Sequence, residues 1–342
     1  MTLAVLILAA GQGTRMLSKK QKILHDVGGK PMVAHVFDAA QAISEQQPVL
    51  VVGPGEAGVR GLFGNGARYV VQPEQLGTGN ATAVAHSLLQ GQADQVIVTY
   101  GDMPLLRGET MAALARKQQE MDAAVVMLSI MGDPTSSFGR VVRAARGKGS
   151  VMEIVEVAEA KRRENTEEIL AIRELNAGVY CFNGRFLWDN INDLPLRQAR
   201  SGPEYYLTDM IEIAVAQNRL VEAISVTDPD ECLGAGTRPE LVDVEKAFRR
   251  RANNHWLARG VTLVDPNSTF IDQDVEIGQD TIIWPNTYLQ GKTAVGQDCV
   301  LGPNTIIRDS NLGNGCIVEQ AVVESQDLVG NTKVAPFTHL KT

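Results

Sequence analysis

The fold of the C-terminal part of the chain is decided by residues 271–307, which read IDQDVEIGQDTIIWPNTYLQGKTAVGQDCVLGPNTII. In this stretch every sixth residue is apolar: Ile271, Ile277, Ile283, Leu289, Val295, Leu301 and Ile307. A six-residue period is typical of a left-handed parallel β-helix, in which apolar side chains point inward and stack from coil to coil. A β-sandwich with regular turns is the alternative, but strand alternation has a period of two. The period therefore predicts a β-helix.

The repeat continues beyond Ile307 with one irregularity. The spacing slips near Leu312, and six-residue spacing resumes through Val322, Leu328, Val334 and Leu340. At three hexapeptides per coil, roughly four coils of about 18 residues fit before Thr342. We therefore expect a short, partial β-helix over residues 261–342.

The first 236 residues follow a different pattern, in which short β-branched runs alternate with helical patterns. The clearest strands are predicted at Leu3–Ala10, Val49–Val52, Val96–Tyr100 and Ala123–Leu128. Such alternation predicts a Rossmann-like α/β domain with a mostly parallel sheet covered by helices on both faces. Between the two parts, a capping box at residues 237–240 and a glycine at 260 predict a connecting helix over 237–260.

Composition excludes several classes of protein. The 342 residues carry a formal net charge of -8, so no overall basic field attracts nucleic acid or an anionic membrane. No uncharged stretch is long enough to span a bilayer, and the apolar N-terminus lacks the basic region of a signal peptide. The four cysteines have no C-x-x-C spacing. We expect a cytoplasmic protein without zinc that binds neither nucleic acid nor membrane.

The first predicted strand ends in a glycine turn, Leu8-Ala9-Ala10-Gly11-Gln12-Gly13-Thr14-Arg15-Met16. Small residues at such a strand end let backbone N–H groups approach a phosphate. Neither a dinucleotide fingerprint nor a Walker loop is present, since Met16 replaces the third glycine and no Gly-Lys-Ser/Thr follows. Taken alone, the turn is equally consistent with a tight strand-to-helix connection. Arg15 and Lys22 add two cations, although either alone would be an ordinary surface charge.

A carboxylate follows another predicted strand, because Asp102 comes directly after residues 96–101. At the carboxyl end of a buried strand, Asp102 would project into the same crevice as the glycine turn. Mg²⁺ is commonly held by one or two carboxylates together with phosphate oxygens and water. A turn or helix-capping role ahead of Pro104 is the alternative.

The glycine turn followed by Lys22 resembles the signature of sugar-1-phosphate nucleotidyltransferases. Further segments occur in that family's order: Gln72-Pro73-Glu74-Gln75-Leu76-Gly77-Thr78-Gly79, Tyr100-Gly101-Asp102-Met103-Pro104-Leu105, Phe138-Gly139-Arg140, Ile154-Val155-Glu156 and Asn176-Ala177-Gly178. From residue 3 to residue 342 the chain is similar to the bacterial bifunctional N-acetylglucosamine-1-phosphate uridylyltransferase / glucosamine-1-phosphate acetyltransferase family, the GlmU family. Residues 204–209, EYYLTD, also resemble this family, but they equally suit the start of an amphipathic helix, and their role stays open.

The resemblance implies transfer of UMP from UTP to N-acetylglucosamine 1-phosphate, with Mg²⁺ as cofactor and Arg15, Lys22 and Asp102 as catalytic residues. It assigns Gly11, Gly13 and Arg15 to the triphosphate, Lys22 to the reacting phosphates and Asp102 to the metal. The other implied substrate-binding residues are Leu8 and Ala9 in the turn, Gln72, Gly77 and Thr78 for uracil, Tyr100 and Gly101 beside the nucleotide sugar, and Gly139, Glu156 and Asn176 for the N-acetylglucosamine.

The sequence departs from the family pattern at three places. Gly236 stands where the family has an asparagine that is its second metal ligand, so Thr237, Asp228 or Asp230 would have to compensate, or Asp102 acts alone. Ala177 replaces the family's usual threonine. The chain stops at Thr342 without residues that match the acetyl-transfer motifs, so we expect no acetyltransferase activity.

Two alternative functions remain open. One is a sugar-1-phosphate nucleotidyltransferase of other base or sugar specificity, and the other is a non-catalytic subunit that binds nucleotide sugars. Gly236 favours the second alternative, whereas the retention of Arg15, Lys22 and Asp102 argues against it. The β-helix is expected to pack against copies of itself as a homotrimer.

Overall fold

The structure is a computed structural model that describes residues 1–133, 138–144, 149–199 and 202–341. The chain divides into two compact units that are each discontinuous in sequence. Unit 1 consists of Met1–Leu24 and Met32–Thr237, and unit 2 consists of His25–Pro31 and Arg238–Thr342. The second unit thus includes a short segment from near the N-terminus.

The strands of the N-terminal two thirds of the chain are β1 (Leu3–Leu8), β2 (Asp26–Val27), β3 (Lys30–Pro31), β4 (Val49–Val52), β5 (Arg68–Val71), β6 (Gln95–Tyr100), β7 (Val125–Met131), β8 (Arg140–Arg143), β9 (Val151–Val155), β10 (Glu174–Asn183), β11 (Leu196–Ala199), β12 (Gly202–Tyr205) and β13 (Val221–Ser225). Except for the hairpin β2–β3, all of them belong to unit 1.

The α-helices are α1 (Met32–Gln41), α2 (Ala57–Phe63), α3 (Gly77–Ala83), α4 (His86–Leu89), α5 (Gly108–Met121), α6 (Val157–Ala160), α7 (Thr166–Leu170), α8 (Gly184–Asn190), α9 (Asp209–Ala216) and α10 (Arg238–Leu257). Short 3-10 helices lie at Thr14–Met16, Lys22–Leu24, Gly64–Gly66, Ile191–Asp193, Pro229–Cys232 and Pro266–Ser268. Among the described residues, no helix combines the length and apolarity needed to cross a membrane.

Unit 1 is built around a sheet with the strand order β13-β7-β10-β6-β1-β4-β5, to which β8 and β9 attach. Strand β1 pairs in parallel with β4 and β6, and β4 with β5. The sheet is mostly parallel, as predicted, but β10 runs antiparallel to both β6 and β7. The Rossmann-like class expected from the alternating pattern is therefore present, with one reversed central strand.

Two hydrophobic cores cover the two faces of this sheet. Ala4, Leu6 and Leu8 of β1 face one core, together with residues of α3, α4, α8 and α9. Val5 and Ile7 face the other core, with residues of α1, α2 and α5. A strand that is buried on both faces needs apolar residues at every position, which explains the uninterrupted run Leu3–Leu8.

Unit 2 contains the β-helix that the six-residue period predicts. Its strands are β14 (Thr262–Leu263), β15 (Thr269–Ile271), β16 (Glu276–Ile277), β17 (Ile282–Ile283), β18 (Thr287–Gln290), β19 (Ala294–Val295), β20 (Val300–Leu301), β21 (Thr305–Arg308), β22 (Asn311–Leu312), β23 (Ile317–Val318), β24 (Val322–Glu324), β25 (Asp327–Leu328), β26 (Lys333–Val334) and β27 (His339–Lys341). Every third strand pairs in parallel, which produces three sheets around one apolar interior.

The register expected after the slip is wrong at one position. Val323, not Val322, is fully buried, and it pairs with the inward-facing Ile307. Val318 is a further interior residue that the assumed six-residue steps passed over. The coil is shortened before Leu312, before Val323 and before Leu328, so three irregular turns replace the single slip.

A helix occupies the segment where the capping box predicts one. Helix α10 buries Val244, Ala247, Phe248 and Trp256. The hairpin β2–β3 packs on it: the N–H of Gly28 donates to Glu245 Oε2 at 2.9 Å. Gly28 has a φ of 54°, and a Cβ at this position would overlap the ring of Phe248. This close packing explains why the segment His25–Pro31 belongs to unit 2.

Candidate active site

The site lies at the carboxyl edge of the unit 1 sheet. Strands β1 and β6 are parallel neighbours whose last residues, Leu8 and Tyr100, pair with each other. The N–H of Gly101 donates to the carbonyl of Leu8 at 3.0 Å, so the two chains leave the sheet side by side. The glycine turn and Asp102 therefore begin at the same edge, which is where open α/β sheets bind ligands.

A cavity of about 970 Å³ opens at this edge. It is lined by most of the residues that the sequence singled out: Leu8, Ala9, Gly11, Lys22, Gln72, Gly77, Thr78, Tyr100, Asp102, Glu156 and Asn176. Arg15, Gly13, Gly101 and Gly139 do not line it. The size suits a nucleotide together with a sugar phosphate.

The charged centre of the cavity is an ion pair. Lys22 Nζ donates to Asp102 Oδ2, and about a fifth of each side chain is exposed. Lys22 begins a 3-10 helix after the glycine turn, whereas Asp102 follows β6. Two residues 80 positions apart in sequence thus meet at one point.

The glycine turn makes room for Lys22. Gly13 has a φ of 68°, and a Cβ built there would lie 2.4 Å from Lys22 Cβ. The following 3-10 helix buries Met16 completely and leaves Arg15 exposed. Arg15 makes no ion pair with any described residue and lies outside the cavity lining. The structure therefore unites Lys22 and Asp102 but does not bring Arg15 to them.

One end of the cavity is formed by α3 and the loop before it. The buried Gln72 follows β5 and donates from Nε2 to Asn80 Oδ1 at 2.8 Å. Gly77 has a φ of 93°, and a Cβ there would lie 2.6 Å from the carbonyl oxygen of Tyr205. Thr78 Oγ1 accepts the N–H of Leu207 at 3.1 Å. The hairpin β11–β12 and the loop after it thus hold this end of the cavity in place.

The other end presents Glu156 and Asn176. Asn176 accepts the N–H of Gly178 at 3.0 Å and donates from Nδ2 to the Tyr180 hydroxyl at 2.7 Å. Gly139 does not reach the cavity itself, but a Cβ there would lie 3.1 Å from Glu156 Oε1. Such a Cβ would also lie 2.9 Å from Ile154 Cγ2, so Gly139 leaves space for both Ile154 and Glu156.

Burial dominates the electrostatics of this end. Desolvation raises the pKa of the Glu156 carboxyl, and repulsion from Glu159 adds to the shift, whereas Arg140 opposes it. Desolvation also raises the pKa of Tyr100 and of Tyr180, so both phenols stay neutral. The cavity therefore combines a poorly solvated carboxylate with neutral hydroxyl and amide groups.

Several lining residues were not among the predicted site residues. They are Ala10, Ile23, Gln75, Ala81, Val157, Ala158, Lys161, Tyr180, Glu204, Tyr206 and Thr208. Gln75 donates to the carbonyl of Ala10 at 2.5 Å and so joins the two loops. Glu204, Tyr206 and Thr208 belong to the EYYLTD segment, whose similarity to the family was the available signal. Lys161 carries no motif that could have identified it.

The donor set is compatible with a Mg²⁺ ion at Asp102. Mg²⁺ keeps several waters and is commonly bound through one or two carboxylates plus phosphate oxygens. The loop expected to supply a second ligand does pass Asp102: a Cβ on Gly234 would lie 3.8 Å from Asp102 Oδ1. Asp228 is paired with Arg107 at 2.8 Å. Among the described residues, no group of three or more His, Cys, Asp or Glu is arranged for a metal.

Comparisons with known proteins agree with this geometry. Residues 5–202 match the family model of the MobA-like NTP transferase domain, and residues 274–309 match the bacterial transferase hexapeptide model of six repeats. A UDP-glucose pyrophosphorylase complexed with UDP-glucose has a similar fold, with a TM-score of 0.56 at 16% identity over 73% of this chain and 100% of that one. A CMP:2-keto-3-deoxy-manno-octonic acid synthetase complexed with CTP has a TM-score of 0.53 at 18% identity, with the same coverage of both chains. Fold and site together define a nucleotidyltransferase that carries hexapeptide repeats.

Sequence identity with known relatives narrows the class of nucleotidyltransferase to one family. The bifunctional protein GlmU of Exiguobacterium sibiricum is 39% identical over 98% of this chain and 73% of its own length. The protein of the same name from Halalkalibacterium halodurans is 40% identical over 98% of this chain and 72% of its own length. The chain therefore belongs to the GlmU family and is a sugar-phosphate uridylyltransferase. It spans about 72% of the length of such a relative.

Proposed function

We propose that the chain transfers UMP from UTP to N-acetyl-α-D-glucosamine 1-phosphate, forming UDP-N-acetylglucosamine and pyrophosphate. The observation that carries the proposal is that one cavity unites three groups of residues. They are Gln72, Gly77 and Thr78 at one end, the Lys22–Asp102 pair, and Glu156 with Asn176 at the other end. Such a cavity can hold a base, the reacting phosphates and a sugar at the same time.

In the proposed reaction an oxygen of the sugar phosphate attacks the α-phosphorus of UTP in line. The bond from the α-phosphorus to the oxygen that bridges to the β-phosphorus breaks, and pyrophosphate leaves with that electron pair. No covalent enzyme intermediate is needed. Catalysis then comes from holding two anions in line and stabilising the developing charge.

Lys22 is the residue best placed to act on the reacting phosphates. Its side chain lines the cavity, and its ammonium group donates to Asp102 Oδ2. Asp102 would hold Mg²⁺ through its carboxylate, and the metal would neutralise phosphate charge when bound. Arg15 lies next to the turn and is free of ion pairs to described residues, so we propose that it contacts the triphosphate tail.

We propose that the N-acetylated hexose lies at the end of the cavity that presents Glu156 and Asn176. A carboxylate such as Glu156 accepts hydrogen bonds from sugar hydroxyls, and burial makes an unmatched hydroxyl costly. Asn176 offers an amide beside it. The proposal includes a cytoplasmic, homotrimeric enzyme. Other bases and sugars remain the second candidate, since the turn and Asp102 suit any nucleoside triphosphate.

The decisive experiment measures pyrophosphate release with UTP and N-acetylglucosamine 1-phosphate. We expect turnover that requires Mg²⁺ and that is lost on chelation. CTP, ATP, GTP and dTTP, and glucose 1-phosphate, serve as competing substrates. A higher kcat/KM for any other pair would overturn the assigned specificity, and no turnover with any pair would favour a non-catalytic subunit.

The Lys22→Ala variant tests the role of Lys22 in the same assay. We expect turnover to fall by about a hundredfold or more, because a charge that stabilises the transition state is removed. Lys19→Ala is the control, since Lys19 is an exposed lysine near the same turn that does not line the cavity. Near-wild-type turnover of Lys22→Ala would refute the role of this residue.

A further inference from the structure

The charged side chains that line the cavity differ in whether they form ion pairs. Its cations are Lys22 and Lys161, and its carboxylates are Asp102, Glu156 and Glu204. Lys22 is already paired with Asp102. Two polyanionic substrates must nevertheless enter a cavity whose side chains carry more negative than positive charge. A cationic side chain in the cavity that forms no ion pair would therefore have a strong effect on substrate binding.

Lys161 is such a cation. Its side chain lines the cavity, is exposed, and makes no ion pair with any residue that the structure describes. It begins the basic run Lys161-Arg162-Arg163, and the third member of this run is occupied elsewhere. Arg163 pairs with Glu153 at 2.9 Å and with Glu159 at 2.6 Å. Ion pairs thus hold Arg163 in a structural role, whereas Lys161 lies at the cavity wall.

Glu156 and Lys161 flank the short helix α6, and both line the cavity. Glu156 is the N-cap of α6, and the N–H of Lys161 donates to the carbonyl of Val157 at 3.3 Å at its C-terminal end. Five residues along a helix correspond to roughly 7.5 Å, which a lysine side chain can span. The ammonium group of Lys161 can therefore reach an anionic group attached to a sugar that Glu156 holds.

We propose that Lys161 binds the phosphate of the sugar-1-phosphate acceptor. The inference rests on the proposed function, because it requires the sugar to lie at Glu156. A lysine ammonium acts on a phosphate as a point charge with three donors and needs no fixed fork geometry. Lys161 then selects phosphorylated over neutral sugars.

The role predicts a specific kinetic pattern. The sugar phosphate keeps its charge in both the ground state and the transition state, so Lys161 stabilises both to a similar extent. A contact of this kind lowers KM without a large effect on kcat. The contact should lower the KM for the sugar phosphate and not the KM for UTP, since α6 lies at the sugar end of the cavity.

The test compares Lys161→Ala, Lys161→Arg and wild type in steady-state assays with each substrate varied in turn. For Lys161→Ala we expect about a tenfold rise in KM for the sugar 1-phosphate, with kcat and the KM for UTP within about twofold of wild type. Lys161→Arg should restore most of the affinity because the charge is kept. Arg116→Ala is the control, since Arg116 is exposed on α5 and does not line the cavity.

The outcomes separate this inference from the proposed function. If wild type has no turnover with any sugar 1-phosphate, the proposed function fails and the inference fails with it. If wild type is active but Lys161→Ala has an unchanged KM for the sugar phosphate, the inference alone is wrong. A rise in the KM for UTP in place of the sugar phosphate would also overturn it. Circular dichroism spectra that match wild type exclude misfolding of this exposed-site variant.

Discussion

Glu156 shows how one residue can serve a site at a cost to stability. Its carboxyl is largely desolvated, with Gly139 against one oxygen and the hydroxyl-bearing residues Tyr100 and Tyr180 nearby. Desolvation disfavours the charged form more than Arg140 favours it, so the pKa of Glu156 is raised. Functional sites often keep such unfavourable groups because a substrate compensates them on binding.

We predict that Glu156→Gln stabilises the folded protein at pH 8 and impairs its activity. A raised pKa means that the folded state binds the proton more tightly than the unfolded state, so wild type loses stability as pH rises above the unfolded value of about 4.3. Glutamine does not ionise and avoids this loss. The free energy of unfolding, from urea titrations, should be higher in the variant at pH 8 and equal to wild type near pH 4.

Glu167→Gln is the control for this prediction, because Glu167 is exposed on α7. It should unfold like wild type at both pH values. A Glu156→Gln protein that is less stable than wild type at pH 8 would show that the carboxylate is well compensated in the folded state.

At the residue scale, the motifs predicted that the glycine turn and Asp102 lie at one edge of the sheet. Lys22 and Asp102 meet because each follows a strand or turn at one sheet edge, and that edge could be predicted. Arg15 could not be placed, since a 3-10 helix decides which of two adjacent residues is buried, and here it is Met16. Lys161 was missed because it belongs to none of the motifs, although it follows the predicted site residue Glu156 by only five positions.

At the scale of the element, the connection from β1 to Lys22 depends on a glycine. We predict that Gly13→Ala lowers kcat by about tenfold or more, because the added methyl would overlap Lys22 Cβ at 2.4 Å and displace its side chain. It should also destabilise the fold by about 1 kcal/mol through its left-handed backbone. Steady-state kinetics and thermal unfolding on the same preparation measure both effects.

The Gly91→Ala variant is the control that distinguishes backbone strain from displacement of the Lys22 side chain. Gly91 has a φ of 72°, close to that of Gly13, but a Cβ there would meet no atom within 4 Å. This variant should lose similar stability and keep its turnover. Equal losses of activity in the two variants would show that displacement of Lys22 is not the cause.

The sequence predicted some strands correctly and others incorrectly. Regular hexapeptides up to Ile307 gave the correct inward residues, because each turn there has the same length. Beyond that point shortened turns move the inward position from Val322 to Val323, and a count of six cannot detect a deleted turn residue. The reversal of β10 was also missed, since a strand's apolar pattern does not encode its direction.

At the scale of the complete chain, no single boundary in the sequence separates the two units. The pattern predicts one boundary near residue 237, whereas the hairpin β2–β3 packs within unit 2. Its anchors are the hydrogen bond from Gly28 to Glu245 and the contact of Gly28 with Phe248. Contacts between residues more than 200 positions apart leave no periodic signal in the sequence.

The three faces of the β-helix differ in the side chains they present outward. The face that contains β14 and β17 has the half-buried Ile282, Val300 and Ile317 at its outward positions. The face that contains β15 and β18 carries the outward row Phe270, Tyr288, Ile306 and Val322. The third face presents Glu276, Ala294, Asn311 and Asp327. Apolar rows on two faces are the surface that association of β-helices would cover.

We therefore predict that the chain forms a homotrimer through these two apolar faces and that Val300→Lys disrupts it. A charge at the centre of an apolar interface remains desolvated and unpaired, which opposes association. Light scattering should give three times the mass of one chain for wild type and a lower mass for Val300→Lys at the same concentration. Ala294→Lys is the matched control, since Ala294 is outward-facing and exposed on the polar face, and its mass should stay that of wild type. A wild-type mass of one chain, or dissociation by Ala294→Lys and not by Val300→Lys, would contradict this assembly.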